Sequence, residues 1–460
     1  MAEVGAGHTA FRPRRAGIAA RVVAALTIAA GILVQPLVWD NLRDQWLGLA
    51  AIYAVIGLSV NVITGHAGQI SLGHQAFVGI GAFMSAFVAA KMGGYFPEST
   101  DLVLPPTTVP SSNFWLGVAA AASTGAVMAL LLGVVALRIR GLYLALITLA
   151  FGLMAEQTIF GIRGFTGGGA GLTAPRPATF ESNQAYAYVC FGFVALLLFV
   201  DWRLVRSKAG RAITAVRSDE RVAATQGIDV TRYKLIAFAL GGLMAGVAGA
   251  LFAHWNQAVQ ALDFVLQTAL LWILMSVVGG LGSRAGVVIG SAFFALFPLI
   301  VADRAGDASI PVPFIRDILV QTLTPLLGAL LLLVTITQYP GGIGQQILPI
   351  RRWLAGGPLV EHRREVLLLP GLPAVVVAVT GVLAGWEASV WLVGAIATLA
   401  TTAVLLAWYL RAYHRTQERA RASAAEGPSA PTDTAHQPEI PVEATVQLPA
   451  AGPTRSGSPT

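Results

Sequence analysis

The sequence predicts an all-α polytopic membrane protein, and two observations support that prediction. Of the 460 residues, 55% are hydrophobic and only 12% are charged, whereas soluble domains carry about a quarter charged residues. The apolar residues form long continuous runs, unlike the short alternating segments of outer-membrane barrels. The composition excludes a soluble globular domain, and it excludes a disordered chain, which needs low hydrophobicity and high charge.

Twelve apolar segments are long enough to cross the roughly 30 Å hydrocarbon core of a bilayer as helices. They are residues 18–39, 46–64, 72–90, 114–137, 141–161, 185–202, 234–255, 266–278, 287–302, 318–335, 367–386 and 389–410. The first is longer than the apolar core of a secretory signal and lacks a clear cleavage site, so we expect it to be retained. The eighth is short, as expected of a tilted or partly buried helix.

Four regions follow from this pattern. Residues 1–17 are a short N-terminus, residues 18–349 a transmembrane domain of ten helices, and residues 350–421 an extension of two further helices. Residues 422–460 contain seven of the 24 prolines and no aromatic residue. That composition is typical of a disordered tail.

Basic residues predict the orientation, because Lys and Arg accumulate in cytoplasmic loops. With a cytoplasmic N-terminus, most of the 30 Lys and Arg residues fall on the inner side of the cytoplasmic membrane. The six exceptions are Arg43, Lys91, Arg163, Arg176, Arg304 and Arg316. We therefore expect both termini in the cytoplasm, and the net charge of +7 is explained without a nucleic-acid partner.

The inner segment 203–234 is the most basic part of the chain. Its eight basic residues are Arg203, Arg206, Lys208, Arg211, Arg217, Arg221, Arg232 and Lys234. The apolar residues between 212 and 224 predict a short amphipathic helix that ends at Gly227. Such a helix either lies on lipid headgroups or docks a cytoplasmic partner, and composition alone leaves both interpretations open.

The sequence also lacks several kinds of site. The pattern GxxxxGK[ST] of a nucleotide-binding P-loop does not occur, so we expect no ATPase site of that type in this chain. His66 and His74 lie eight residues apart, which is not the i, i+4 spacing of a zinc-binding helix. The single cysteine, Cys190, cannot form an intrachain disulfide. We predict no metal site and no cofactor within the chain.

Three stretches resemble one family in order and spacing. The first is residues 65–74 (GHAGQISLGH), and the second joins residues 137–152 (LRIRGLYLALITLAFG) to 166–172 (TGGGAGL). The third runs from 210–228 (GRAITAVRSDERVAATQGI) through 245–251 (AGVAGAL) to 279–283 (GGLGS). Together they resemble the permease subunit of branched-chain amino acid ABC importers, of the M type (LivM-like). The resemblance ends near residues 340–344 (PGGIG) and does not cover the extension.

The resemblance implies a transport subunit that works with several partners. Two ABC ATPase subunits would bind ATP and magnesium and dock on segment 203–234, while an H-type permease would pair with this chain. An extracytoplasmic solute-binding protein would deliver a branched-chain amino acid or a related solute such as urea or an amide. Coupling to the ATPases is assigned to Gly210, Arg211, Arg217, Glu220, Ala223, Ala224 and Gly227.

A solute pathway is predicted at the glycine-rich break between the second and third spans. Irregular backbone survives inside a membrane only where protein or water covers it. Our candidate pathway residues are Gly68, Gln69, Ser71, Gly73, Glu156 and Thr166. The alternative is a tight structural turn capped by Ser71. Glu156 either faces a cavity, because a carboxylate is costly in mid-bilayer, or lies solvated near the outer interface.

One competing function stays open at this point. An ion-coupled secondary transporter of a small polar solute would need ionisable residues within the membrane. Glu156 is the candidate for such a residue. The chain also differs from the family pattern at Leu153 and Glu156, at residues 169–171 and at residues 259–261. These differences concern the solute more than the class of protein.

Overall fold

The computed structural model describes residues 41–92, 110–136 and 141–307, together with Gly342. The predicted spans 18–39, 318–335, 367–386 and 389–410, the extension and the tail lie outside these residues. Each of the other eight predicted spans coincides with a helix to within a few residues. The helical class is therefore confirmed for this part of the chain, and the total of twelve spans stays a prediction.

Eleven α-helices and one small ribbon are described. The helices are α1 Asn41–Val60, continued by a π-helix Asn61–His66, α2 His74–Met92, α3 Ser111–Ala136, α4 Leu142–Gln157, α5 Arg163–Thr166, α6 Asn183–Arg206, α7 Lys208–Ser218, α8 Glu220–Thr225, α9 Val230–Asn256, α10 Leu266–Gly279 and α11 Arg284–Asp307. The strands are β1 Leu172–Thr173 and β2 Ala258–Val259. Short 3-10 turns lie at Ile159–Gly161, Gly168–Ala170, Ala178–Phe180 and Ala261–Phe264.

Five helical stretches in the described part are long and apolar enough to cross a membrane. They are Gln45–His66, Ser111–Val135, Tyr143–Gly161, Asn183–Arg206 and Val230–Asn256. Three shorter apolar helices accompany them: His74–Ala89, Leu266–Gly279 and Arg284–Leu299. The sequence correctly predicts the shortness of α10, which has 14 residues.

Helix α9 lies at the centre of the bundle because its glycines let other backbones approach closely. A side-chain carbon at Gly246 would collide with the Ala121 carbonyl oxygen of α3, and one at Gly249 with the Val78 carbonyl oxygen of α2. Such small-residue contacts are a common basis of helix packing in membranes. These glycines therefore serve helix packing.

The connections between helices form two layers at opposite ends of the bundle. We name the layers by the orientation that the basic residues predict. The layer called outer comprises residues 158–182 and 257–265, where β1 pairs antiparallel with β2 through Leu172 opposite Val259. The layer called inner comprises residues 61–73, 207–229 and 280–284, together with the parts of the helices that contact them. Most candidate site residues fall in the inner layer, and two fall at the outer one.

Candidate functional site

Helix α7 is the amphipathic element that the basic segment predicts. Its buried residues are Gly210, Ala212, Ile213 and Val216. Ile213 packs in one apolar cluster with Ala67 and Ala237, so α7 rests on both the break after α1 and the start of α9. Gly210 is required where it stands, since a side-chain carbon would collide with the Leu204 carbonyl oxygen. Arg211 lies on the exposed face and donates to the Arg206 carbonyl oxygen (3.3 Å).

The segment contains two helices rather than the single amphipathic helix that the sequence predicts. Asp219 is extended and caps α8, because its Oδ1 accepts hydrogen bonds from the backbone N of Arg221 (2.8 Å) and of Val222 (3.2 Å). An N-cap of this type begins a new helix and so ends the previous one. The predicted end at Gly227 is correct: its φ is +78°, and the Ile228 N–H bonds to the Ala223 carbonyl oxygen in a Schellman arrangement.

Two polar contacts fasten these helices to the bundle. The Arg217 guanidinium on α7 donates to the Gly65 carbonyl oxygen in the π-helix. Glu220, the first residue of α8, pairs with Lys234 on α9, with 2.5 Å between Oε1 and Nζ. A displacement of α7 and α8 would therefore pull on both the break and the central helix.

The outward surface of α8 is small and partly apolar. Ala223 is buried, whereas Val222 is 51% exposed and Ala224 is exposed. Arg221 and Thr225 are also exposed. We call Arg221, Val222, Ala224 and Thr225 the α8 face. The structure thus separates the predicted docking residues, because Ala224 is accessible to a partner and Ala223 is not.

The glycine-rich break is an irregular connection between the π-helix and α2. Gly68 has a φ of +69°, and a side-chain carbon there would lie 2.9 Å from Arg217 Cγ. A side-chain carbon at Gly73 would collide with the Thr148 carbonyl oxygen of α4. Gln69 is buried and donates to the Ala67 carbonyl oxygen (3.2 Å). The break is thus held by close backbone contacts with both α4 and α7.

A cavity of about 230 Å³ lies between the break and helices α7 and α8. Its lining includes Gly68 and Gln69 from the break and Arg217 and Glu220 from α7 and α8. The sequence predicts a pathway role for the first pair and a coupling role for the second. The fold brings the two candidate sets to one place.

The alternative of Ser71 as a helix cap is wrong. Ser71 is fully buried, and its Oγ makes no hydrogen bond within the described residues. The backbone N of Leu72 instead donates to Thr148 Oγ1 (2.9 Å). Nearby, both amide atoms of buried Gln75 and Nδ1 of buried His74 are also unbonded in that part of the chain. Unbonded buried polar atoms are costly, so this cluster is suited to water or a polar solute.

The bonding of His74 defines what its free nitrogen can do. Ser59 Oγ donates its single proton to the Gly241 carbonyl oxygen (2.8 Å) and lies 2.7 Å from His74 Nε2. Because a hydroxyl has one proton, His74 Nε2 must be the donor in the second contact. In a neutral imidazole Nδ1 is then an acceptor, and it has no partner within the described residues.

A buried ionic cluster that sequence reasoning missed lies beside the break. Asp201 on α6 is fully buried, with Oδ1 2.8 Å from His66 Nε2 and Oδ2 2.5 Å from Arg284 Nε. Asn61 Oδ1 accepts from the Gly282 N–H (2.7 Å) in the same region. One available signal is that Asp201 interrupts an apolar helix. Within the described residues no three His, Cys, Asp or Glu side chains converge as a metal site requires.

Glu156 and Thr166 lie at the outer layer, away from the break. Glu156 ends α4, and its Oε2 accepts a hydrogen bond from the Leu266 N–H at the start of α10 (3.2 Å). Thr166 is buried and donates within its own loop, to the carbonyl oxygens of Phe160 (2.8 Å) and Ile162 (2.9 Å). Glu156 thus lies at the end of α4 that is farther from the break, and the candidate pathway set is divided between the two ends.

Two of the stretches that differ from the family pattern meet in this layer. A side-chain carbon at Gly171 would collide with the Val259 carbonyl oxygen, beside the ribbon formed by β1 and β2. Residues 169–171 and 259–261, which are far apart in sequence, are therefore adjacent in the fold.

Comparison with known proteins agrees with the resemblance. Residues 42–308 match the family of branched-chain amino acid transport system permease components. The high-affinity branched-chain amino acid transport system permease protein LivM of Salmonella typhimurium is 29% identical over 276 residues, which cover 54% of this chain and 61% of the relative. LivM of Escherichia coli is 30% identical over 271 residues, with 53% and 60% covered.

A probable LivM of Methanocaldococcus jannaschii is 23% identical over 280 residues, with 56% of this chain and 79% of the relative covered. The chain spans about three fifths of the length of the two bacterial relatives. No solved structure matches the chain. The family match covers more than half of the sequence and includes all eight described apolar helices. The chain is a multi-pass membrane protein and belongs to the family of permease components of branched-chain amino acid transport systems.

Proposed function

We propose that the chain is the M-type permease subunit of an ABC importer for branched-chain or related amino acids. The observation that carries the proposal is the bond from Arg217 to the Gly65 carbonyl oxygen. This bond links α7, which leads into the α8 face, with the glycine-rich break. The unbonded polar atoms lie at that break. A force applied at the surface thus reaches the candidate pathway directly.

In this mechanism the chain performs no covalent chemistry. Two partner ATPases bind ATP and magnesium, dock on the α8 face and push α7 and α8 when they close. Arg217 and the pair Glu220–Lys234 pass that motion to the π-helix and to α9. The polar atoms of Ser71, His74 and Gln75 then hydrate the path or contact the solute, which an extracytoplasmic binding protein delivers and an H-type permease helps to enclose.

An ion-coupled secondary transporter is the alternative. Its candidate, Glu156, accepts the Leu266 N–H at the outer layer, which favours a structural role for this carboxylate. Uptake into vesicles that contain this chain without ATPase subunits, driven by an imposed sodium or proton gradient, would support the alternative and contradict our proposal.

The test of the proposal is Ala224→Glu in the assembled complex. Ala224 is exposed, so the variant should insert and keep its thermal stability. A charge on the α8 face should lower ATPase co-purification and ATP-driven uptake by tenfold or more, because an unpaired charge at the centre of an interface is costly. Both quantities are measured at matched membrane abundance.

Ala178→Glu is the matched control. Ala178 is an exposed alanine of the outer layer, and the same substitution there should leave ATPase co-purification unchanged. Normal co-purification and uptake by Ala224→Glu would remove the α8 face from the docking surface. Ala223→Glu is less informative, since Ala223 is buried and its loss of function would follow from misfolding.

A further inference from the structure

A second, larger pocket opens on the bundle surface where α6 ends and α7 begins. Its volume is about 390 Å³, and it is lined by Val200, Arg203, Leu204, Arg206, Ser207 and Leu240. Three of these are apolar, Val200 and Leu204 on α6 and Leu240 on α9. The two arginines occupy the last turn of α6, and Leu204 lies between them. Val200 and Leu240 lie farther inside their helices than the arginines, so the pocket passes from an apolar end to a cationic end, as a membrane passes from acyl chains to headgroups.

The cationic end has no opposing charge among the described residues. No lining residue is acidic, and Asp201 on the same helix is fully buried and paired with His66 and Arg284. Arg203 and Arg206 are both exposed and form no ion pair in the described part of the chain. Two guanidinium groups without an acidic partner in this part of the chain favour binding of an anion at the pocket. Arginine suits phosphate because its planar fork can donate two parallel bonds.

Aromatic contacts hold the cationic end in place. The Arg206 guanidinium lies over the Trp202 ring, 4.4 Å from its centroid, and Trp202 is stacked on Phe199 at 5.8 Å. Phe199 is 58% exposed. Aromatic side chains of this kind are enriched where acyl chains meet headgroups. Arg206 is therefore positioned at that boundary before any ligand arrives.

The start of α7 adds to the attraction. Ser207 lines the pocket and caps α7 by accepting the Gly210 N–H (3.1 Å). The N-terminus of an 11-residue helix presents unpaired N–H groups and a partial positive charge. Two arginines and a helix N-terminus thus converge on one opening beside an apolar wall.

We infer that this pocket binds an anionic phospholipid of the cytoplasmic leaflet. The headgroup phosphate lies between Arg203 and Arg206, and an acyl chain lies along Val200, Leu204 and Leu240. Clusters of basic residues next to membrane helices attract anionic lipids in general. The pocket adds an apolar wall that a free phosphate ion cannot use, and this selects a lipid.

The position of the pocket gives the lipid a consequence. Ser207 is the residue at which the chain leaves α6 and enters α7, and Leu204 also packs against the cluster of Ala67, Ile213 and Ala237. A lipid held here steadies the joint about which α7 turns. Bound lipid should therefore raise the thermal stability of the chain, whatever solute the complex transports.

The experiment uses the purified full chain in a neutral detergent. Phosphatidylglycerol and phosphatidylcholine with identical acyl chains are added in turn, and retained lipid is measured by native mass spectrometry. We expect phosphatidylglycerol to be retained and phosphatidylcholine to be lost. Arg203→Gln combined with Arg206→Gln should weaken phosphatidylglycerol binding by about tenfold or more, since each arginine near an anionic surface contributes about a fivefold factor.

The matched control is Lys208→Gln combined with Arg232→Gln. These two basic residues are also exposed and belong to the same basic segment, yet they neither line the pocket nor belong to the α8 face. The net charge falls equally in the two variants, so the control corrects for attraction to total charge. Because its pocket is unchanged, the control should bind phosphatidylglycerol within about twofold of the unchanged chain. The melting temperature with phosphatidylglycerol should rise for the unchanged chain and the control, and not for the pocket variant.

Four outcomes would overturn the inference. Equal retention by the pocket variant and the unchanged chain would mean that the arginines do not form the site. Equal weakening in the control would mean attraction to total charge rather than to this pocket. Displacement of phosphatidylglycerol by millimolar inorganic phosphate would assign the pocket to a free anion. Normal lipid binding by the pocket variant, together with loss of ATPase co-purification, would assign the pocket to a protein partner.

Discussion

The two layers of the molecule differ in how completely their polar groups are bonded. In the outer layer, Arg176 is almost fully buried and donates to four acceptors: the carbonyl oxygens of His254 (2.9 Å), Trp255 (2.7 Å) and Glu181 (3.3 Å), and Asn183 Oδ1 (2.7 Å). Two of these are terminal carbonyls of α9, which lack partners within their own helix. Burial lowers the pKa of Arg176 from its ordinary value, but its four acceptors favour the charged form.

The inner layer is bonded less completely. Ser71 Oγ, His74 Nδ1 and the Gln75 amide have no hydrogen-bond partner within the described residues. Single contacts connect its parts, such as Arg217 to the Gly65 carbonyl oxygen and Glu220 to Lys234. The difference indicates that the outer layer maintains one structure, whereas the inner layer can exchange contacts and admit water. Three substitutions test that contrast, in order of expected effect.

Arg176→Ala should cause the largest loss of stability. It leaves four acceptors without their donor, and hydrogen bonds to charged groups contribute about 1.5–3 kcal/mol each without being additive. We expect a total cost of about 3–5 kcal/mol. The melting temperature of the purified chain should then fall by about 3–5 °C, and membrane abundance should fall with it.

Arg163→Ala is the control for that substitution, because Arg163 is an exposed arginine of the same layer. Its melting temperature should stay close to that of the unchanged chain. Arg176→Lys should fall between the two, since lysine keeps the charge and loses the planar fork. If Arg176→Ala melts as Arg163→Ala does, the outer layer does not depend on this residue and the contrast between the layers fails.

Asp201→Ala should have an intermediate effect, because it breaks an ionic cluster at the inner layer. The substitution leaves Arg284 without its carboxylate, but Arg284 is 20% exposed and His66 11% exposed, so water recovers part of the loss. We expect a cost of about 1–3 kcal/mol. The measurement is the melting temperature together with ATP-driven uptake at matched abundance.

A double-mutant cycle makes the second prediction specific. Arg284→Ala alone leaves Asp201 buried with His66 as its remaining partner. The double variant should be more stable than the sum of the two single effects predicts, because neither charge is then left alone. Additive losses would show that Asp201 and Arg284 do not interact in the folded protein.

Apolar runs predicted most of the described helical fold. Every predicted span between residues 46 and 302 is a helix, because the length and hydrophobicity of a run are visible in the sequence. The end of α8 at Gly227 was predictable from the residue type, since glycine readily adopts the positive φ found at helix C-termini.

The contacts between distant residues were not predictable in this way. The single amphipathic helix predicted from the apolar residues between 212 and 224 includes Asp219 in its interior, and only the extended backbone of Asp219 reveals it as the cap of a second helix. Asp201 and Arg284 are 83 positions apart, so their pairing depends on how α6 and α11 pack. Ser71 has a residue type that favours capping, but its buried Oγ accepts none of the N–H groups at the start of α2 within the described residues.

The smallest expected effect distinguishes two neighbouring hydroxyl groups of the inner layer. Thr148 Oγ1 accepts the Leu72 N–H (2.9 Å) and donates to the Ala145 carbonyl oxygen (2.9 Å), whereas Ser71 Oγ is unbonded within the described residues. Thr148→Val should therefore cost about 1 kcal/mol. Ser71→Ala should change stability by less than about 0.5 kcal/mol, because it removes a buried hydroxyl that has no protein partner. If Ser71 faces a hydrated path, uptake by Ser71→Ala should nevertheless fall about two- to fivefold, since the water or solute loses one hydrogen bond worth about 1 kcal/mol.

Stability and uptake measured on the same preparations separate the cases. A loss of stability equal to that of Thr148→Val would mean that Ser71 is bonded in the folded protein, and the inner layer would then be as fully bonded as the outer one. Unchanged stability with unchanged uptake would leave the break irregular but place the solute path elsewhere in the bundle.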